Sequence, residues 1–203
     1  QSHLETALSA GDELLDFVNE KAESESFLTV GFYSGWPGYV YALNELAKTS
    51  GEERFKDGAR IALDRLTAQS SEIGNGIGWV EAIPFSDITG IKGEREVIDL
   101  SVGAAGAGII YLYAYREGLL SSLDLAIRTA DRLLEVSEDT EDGLNWLMMV
   151  DMAFPFTAPN FAHGGAGVGY FLADLYQETK NTAYLEAAVS AANYVKSRAV
   201  QQS

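Results

Sequence analysis

Three glycine-rich stretches decide how this chain is read: Ser34-Gly35-Trp36-Pro37-Gly38, Val102-Gly103-Ala104-Ala105-Gly106 and His163-Gly164-Gly165-Ala166-Gly167. They align without gaps, and each runs into an apolar stretch: Tyr39-Val40-Tyr41-Ala42-Leu43, Ala107-Gly108-Ile109-Ile110-Tyr111 and Val168-Gly169-Tyr170-Phe171-Leu172. First glycines at 35, 103 and 164 give intervals of 68 and 61 residues. A second landmark keeps step, since Gly76-Ile77-Gly78-Trp79 and Gly143-Leu144-Asn145-Trp146 place their tryptophans 67 residues apart. Two independent landmarks at near-equal spacing define a repeat of roughly 60–70 residues, longer than the common helical-repeat periods.

Each unit reads as two helices followed by a short irregular or stranded excursion. The helix after each glycine motif is apolar nearly all round, as in 106–115 and 167–176, and such a helix must be covered on most faces. The second helix is amphipathic. Phe55, Ala59, Ala62 and Leu66 recur at helical spacing, as do Leu123, Ile127, Ala130 and Leu134, and again Tyr184, Ala188, Ala191 and Val195. A leading helix carries Leu4, Leu8, Leu15 and Val18 on one face. Thr49-Ser50-Gly51 and Thr179-Lys180-Asn181 read as the turns inside helix pairs. About seven helices result, alternately buried and half-exposed. The fold class this predicts is all-α: an α/α toroid, or an arc of one, with short strands in its connections. Glycine at the start of an inner helix permits close backbone approach, and the unbonded N–H groups of a helix start make each motif a candidate anion site.

Composition narrows the function. The 203 residues hold 14 Lys+Arg against 30 Asp+Glu, a net charge of −16, which argues against nucleic acid and anionic membrane surfaces as partners. Hydrophobic residues make up 47%, excluding a disordered chain, and the longest apolar run is too short to span a membrane. With no cysteine, the chain holds no disulfide, thiol nucleophile or thiolate zinc site. A cytoplasmic location is expected, since no signal-peptide pattern opens the chain.

The motifs resemble those of the lanthionine synthetase C family, the LanC and LanC-like cyclases, from Gly31 to about Ala188. Phe32-Tyr33-Ser34-Gly35-Trp36-Pro37-Gly38 is similar to the family's Tyr-Thr-Gly-Trp-Ala-Gly, and Asp99-Leu100-Ser101-Val102-Gly103-Ala104-Ala105-Gly106 to its Asp-x-x-x-Gly-x-x-Gly. Ala162-His163-Gly164-Gly165-Ala166-Gly167 resembles its Ala-His-Gly-x-Ala-Gly. The resemblance implies a toroid of two concentric helical layers with about seven inner helices, of which three glycine motifs stand here. It implies a zinc ion, held by two Cys and one His, that binds a thiol for addition to a dehydroamino acid, closing a thioether ring. Eukaryotic relatives are associated with glutathione. Proton-handling roles carry over to Asp99 and His163, and substrate contact is assigned to Tyr33, Trp36 and Trp146.

The zinc motifs of the family lie C-terminal to the His motif, beyond Ser203. With no Cys, and only His3 and His163 as nitrogen ligands, no such site is built here, so zinc is expected only from a C-terminal half. Residues 1–203 are accordingly read as one domain, the N-terminal part of a larger barrel. A C-terminal half, or self-association, would cover its apolar helix flanks. The expected partner is a peptide or glutathione-like thiol substrate, and the fragment alone is expected to be inactive.

Bland readings stand beside these. Asp99 and His163 could serve as helix caps, and Trp36, Trp79 and Trp146 as packing. The connection from Glu81 to Ile98, with Asp87, Lys92, Glu94, Arg95 and Glu96, reads as a lid or a surface excursion. Asp139, Glu141 and Asp142 read as a solvated turn. Two other functions fit: a carbohydrate-active toroid using a carboxylate pair such as Asp99 and Asp151, and a non-catalytic peptide-binding scaffold.

Overall fold

The computed structural model describes residues 2–23, 29–33, 35–82, 93–151 and 159–199. Ser34, Asp87, Lys92 and the middle of the Glu81–Ile98 connection lie outside the described residues. Seven helices occur among those described: α1 (His3–Glu23), α2 (Trp36–Ser50), α3 (Glu53–Ala68), α4 (Ala104–Arg116), α5 (Asp124–Glu135), α6 (Gly165–Thr179) and α7 (Thr182–Ser197). Between them stand β1 (Ser71–Ile73), β2 (Gly76–Gly78), β3 (Val80–Ala82), β4 (Glu94–Glu96), β5 (Glu138–Thr140) and β6 (Gly143–Asn145), paired antiparallel as β1–β2, β3–β4 and β5–β6. The helices form hairpins α2–α3, α4–α5 and α6–α7 with short strand connections, an arc of the α/α toroid type.

The hairpin turns follow from the sequence. Gly51 ends α2 in the left-handed region at φ 76°, donating its N–H to the Ala47 carbonyl. Lys180 does the same after α6 at φ 57°, and the Asn181 side chain then accepts from Ala183 N–H to open α7. The inner helices are buried as expected; α4 buries Ala104 to Gly108, Ile110, Tyr111, Leu112 and Ala114. The outer helix α5 differs from expectation. Its buried stripe is Ala126, Thr129, Ala130 and Leu133, whereas Leu123, Ile127 and Leu134 are half-buried. This helix is covered from two sides, by α4 and by the β1–β2 hairpin, which turns the deepest line away from the bulkiest residues.

The repeat is reproduced atom for atom in several contacts. Trp79 donates its indole N–H to the Leu66 carbonyl (3.0 Å) and Trp146 to the Leu133 carbonyl (2.7 Å), each thirteen residues back. Trp36 N–H meets the Thr29 carbonyl as Ala104 N–H meets that of Val97. A Cβ on Gly38 would lie 2.7 Å from the Phe32 carbonyl oxygen, and one on Gly106 or Gly167 would overlap the carbonyl of Leu100 or Phe161, six residues back every time. The β1–β2 hairpin packs on α5 and the β5–β6 hairpin on α7, one unit ahead. Gly143, at φ 133° and against the Ser190 carbonyl, is held in a conformation and a space that only glycine tolerates. Each buried tryptophan contributes roughly 4–6 kcal/mol of transfer free energy by area.

Candidate active site

The loops that carry the three glycine motifs are laced together by main-chain hydrogen bonds. Phe32 N–H donates to the Leu100 carbonyl (3.1 Å) and Tyr33 N–H to that of Ser101 (3.3 Å); Ser101 N–H in turn donates to Ala162 (3.0 Å). Within the second and third loops the same turn recurs. The Asp99 side chain accepts from Val102 N–H (2.7 Å), and the Asn160 side chain accepts from His163 N–H (2.8 Å), each spanning three residues. Stacking the two loops brings the Asp99 carboxylate Oδ2 to 3.0 Å from His163 Nδ1, across 64 residues of sequence.

The two partners differ in access. The Asp99 side chain is wholly buried, while that of His163 is 39% exposed. Burial holds the Asp99 carboxyl above its ordinary range, opposed by the Val102 N–H and by His163. A carboxylate on Nδ1 fixes the ring's orientation and leaves Nε2 for chemistry. A third ionisable side chain stands close by. Glu81, on β3 and only 4% exposed, accepts Val30 N–H at 3.0 Å. Burial first, with Asp99 adding, pushes its carboxyl up to about 7 against the pull of the Val30 N–H.

Tyr33, 68% exposed, stands at the mouth of a crevice of about 180 Å³ formed with Phe32, Leu100, Ile109, Phe161 and Tyr170. Phe32, Leu100 and Phe161 each lie three residues before a first glycine, and Ile109 and Tyr170 six after one, so the wall is built from repeated positions. Trp36 and Trp146 lie elsewhere. They are 0% and 1% exposed, with indole N–H groups engaged by Gln69 Oε1 (2.9 Å) and the Leu133 carbonyl, so both rings serve the core.

The anion-site reading of the helix starts is corrected at α2 and α4. Trp36, Ala104 and Ala105 N–H donate to the carbonyls of Thr29, Val97 and Ile98, so these helix-start donors are already engaged. Sequence reading placed Glu81 only at the start of a lid or surface excursion, because its partner Val30 is 51 residues away in the chain. Asn160 was also missed; its spacing from His163, matching Asp99 to Val102, was the available signal. The ends of the Glu81–Ile98 connection form the β3–β4 ladder, with Glu81 opposite Arg95. Glu96 is held there by Arg132 (2.7 Å), both largely buried. Asp151 is exposed, at φ 57°.

Zinc held by two Cys and one His does not fit these residues. The chain has no cysteine, and among the described residues no group of three His, Cys, Asp or Glu could hold a metal ion. No helix among them is long and apolar enough to cross a membrane.

Comparison with known proteins agrees with the motif pattern. A crystal structure of a family 76 glycoside hydrolase from a bovine Bacteroides thetaiotaomicron strain is similar, with a TM-score of 0.55 and 17% identity. The match covers 80% of this chain and 34% of that one, so the chain spans about a third of its length, and at such identity the likeness concerns fold alone. No curated protein matches. The sequence profile described as lanthionine synthetase C-like protein matches residues 5–203, nearly the whole chain. The chain belongs to the lanthionine synthetase C-like family.

Proposed function

We propose that Asp99 and His163 form the proton-handling pair of a thioether-forming reaction, the addition of a peptide or glutathione-like thiol to a dehydroamino acid. The observation that carries this reading is the 3.0 Å contact between a wholly buried carboxylate and an accessible imidazole. Asp99 holds the ring with Nδ1–H toward itself, so Nε2 can take the thiol proton. The sulfur then bonds to the β-carbon, the Cα=Cβ π-bond is lost, and the imidazolium returns a proton to the α-carbon of the enolate. The Tyr33 crevice would take the substrate beside this pair. Zinc supplied from outside these residues would favour the thiolate, and no step here is assigned to it. On this reading residues 1–203 act as one domain within a larger barrel.

The carbohydrate reading is weaker on geometry. Asp99 is buried and committed to Val102 and His163, which leaves it no access to a glycosidic bond. The test uses the full protein with a peptide carrying dehydroalanine and cysteine, and scores loss of free thiol. His163→Ala and Asp99→Asn should each slow ring closure by about 10²–10⁴-fold. Undiminished closure in both variants would dismiss the assignment.

A further inference from the structure

The inner helices carry apolar side chains at a position that solvent reaches. Six residues after each first glycine stand Tyr41, Ile109 and Tyr170. Tyr170 is 51% exposed on the third hairpin, but Tyr41 is 43% exposed with two hairpins following it, and Ile109 is half-buried with a hairpin on either side. The position therefore faces away from the packing between units, and its exposure does not come from an uncovered flank. Apolar side chains exposed side by side, rather than singly, are what a binding surface shows.

Ile109 and Tyr170 line the crevice of about 180 Å³ together with Phe32, Tyr33, Leu100 and Phe161, and no charged residue lines it. Two ring pairs stand in its wall: Phe32 with Tyr33 from the first unit, centroids 5.7 Å apart, and Phe161 with Tyr170 from the third, 5.4 Å apart. The second unit adds the buried Leu100. Leu100 directly follows Asp99, and Phe161 precedes His163 by two residues. The hydrogen bonds from Phe32 to Leu100 and from Ser101 to Ala162 tie these segments together, so the crevice and the Asp99–His163 pair share one frame.

Size and charge decide what fits. Sites that enclose whole small ligands run to roughly 300–1,000 Å³, so this crevice takes one side chain and not a tripeptide. An apolar wall gains about 25 cal/mol per Å² from an apolar occupant, whereas a carboxylate placed against it finds no partner to offset its lost hydration. The net charge of −16 opposes anions further. A glutathione-like thiol carries two carboxylates against one ammonium.

We propose that the crevice is a side-chain subsite for an uncharged apolar residue next to the reacting residue of a peptide, and that it disfavours an anionic, glutathione-like thiol. This rests on the Asp99–His163 reading for what is done to the peptide, but binding tests it without any reaction. The probes are unreactive hexapeptides with Ser in place of the cysteine and Ala in place of the dehydroamino acid, differing only in Leu or Asp beside that Ala, together with S-methylglutathione. Calorimetry on the full protein should show the Leu peptide binding at least about tenfold tighter than the Asp peptide or S-methylglutathione, the discrimination that one apolar side chain yields. The Leu peptide should also shift the Tyr33 and Tyr170 ring resonances, assigned from Tyr33→Ala and Tyr170→Ala. Both variants change exposed side chains, and each should bring the two peptides within about threefold. Equal binding of the two peptides by the wild-type protein, tighter binding of S-methylglutathione, unmoved tyrosine rings, or a preference that survives in both variants overturns the subsite. Ring closure surviving His163→Ala would dismiss the proton-handling reading while leaving this binding preference separately measured.

Discussion

Replacing Glu81 by Gln should stabilise the protein, and only at neutral and alkaline pH. The Glu81 carboxyl rises from an ordinary 4.5 to about 7 on folding. Between those values the native state retains a proton that the unfolded chain has released, so stability falls as pH rises through the window and the full loss is reached above it. At 1.36 kcal/mol per pH unit the loss is about 3 kcal/mol. Gln removes it while preserving the bond to Val30 N–H, so the difference between the two proteins reports the Glu81 titration together with the contribution Asp99 makes to it. Thermal melts at pH 4, 6, 7, 8 and 9 would show near-parallel Tm values at the acid end. The variant should then gain about 6–12 °C at pH 9, at roughly 2–4 °C per kcal/mol for a chain of this size. A Tm difference that stays constant with pH would refute the reasoning, whatever its sign.

Other expectations follow from single contacts. Gly106→Ala should cost about 3 kcal/mol or more, because the new Cβ lies 2.7 Å from Phe32 N and overlaps the Leu100 carbonyl, both main-chain atoms. Gly165→Ala, where nothing lies nearer than the Trp146 ring at 3.7 Å, should change stability by about 1 kcal/mol or less; urea unfolding distinguishes the two. Glu96→Ala removes the buried carboxylate from Arg132 and leaves Glu135 as its remaining partner at 2.8 Å, a loss of about 1.5–3 kcal/mol by the same measurement. Trp146→Phe leaves the Leu133 carbonyl without its indole donor and opens space, a loss of about 1–3 kcal/mol read from melting curves.

Much of the architecture was legible because it is written twice. The 67-residue spacing of Trp79 and Trp146 became two identical indole-to-carbonyl bonds, and the glycine spacing became three equivalent close approaches. Patterns confined to one helix were read less well. The α5 stripe depends on what covers it: with α4 and the β1–β2 hairpin of the preceding unit both packed on this helix, Ala126 and Thr129 are buried and Leu134 is half-buried. The site was legible in part. Asp99 and His163 were named from family motifs, and their contact over 64 residues is a product of stacking that no local pattern encodes. Glu81 carried no signal, since both its burial and its bond to Val30 arise 51 residues away. The anion reading of the helix starts failed at α2 and α4 because carbonyls of the preceding segments occupy the donors.

The pair joins unlike positions of neighbouring units, with consequences for where such chemistry can arise. Asp99 stands four residues before its first glycine and His163 one before the next, so the preceding seam has two places of corresponding sequence position. At the preceding seam those places are held by Gly31 and Val102. Gly31 has no room for a side chain, since its Cβ would overlap the Ser101 carbonyl and the Val102 Cα. An acid transplanted there would break the lacing between the loops before it met any histidine. The repeat supplies corresponding places at both seams, and steric closure at Gly31 confines an acid–imidazole pair to the later one.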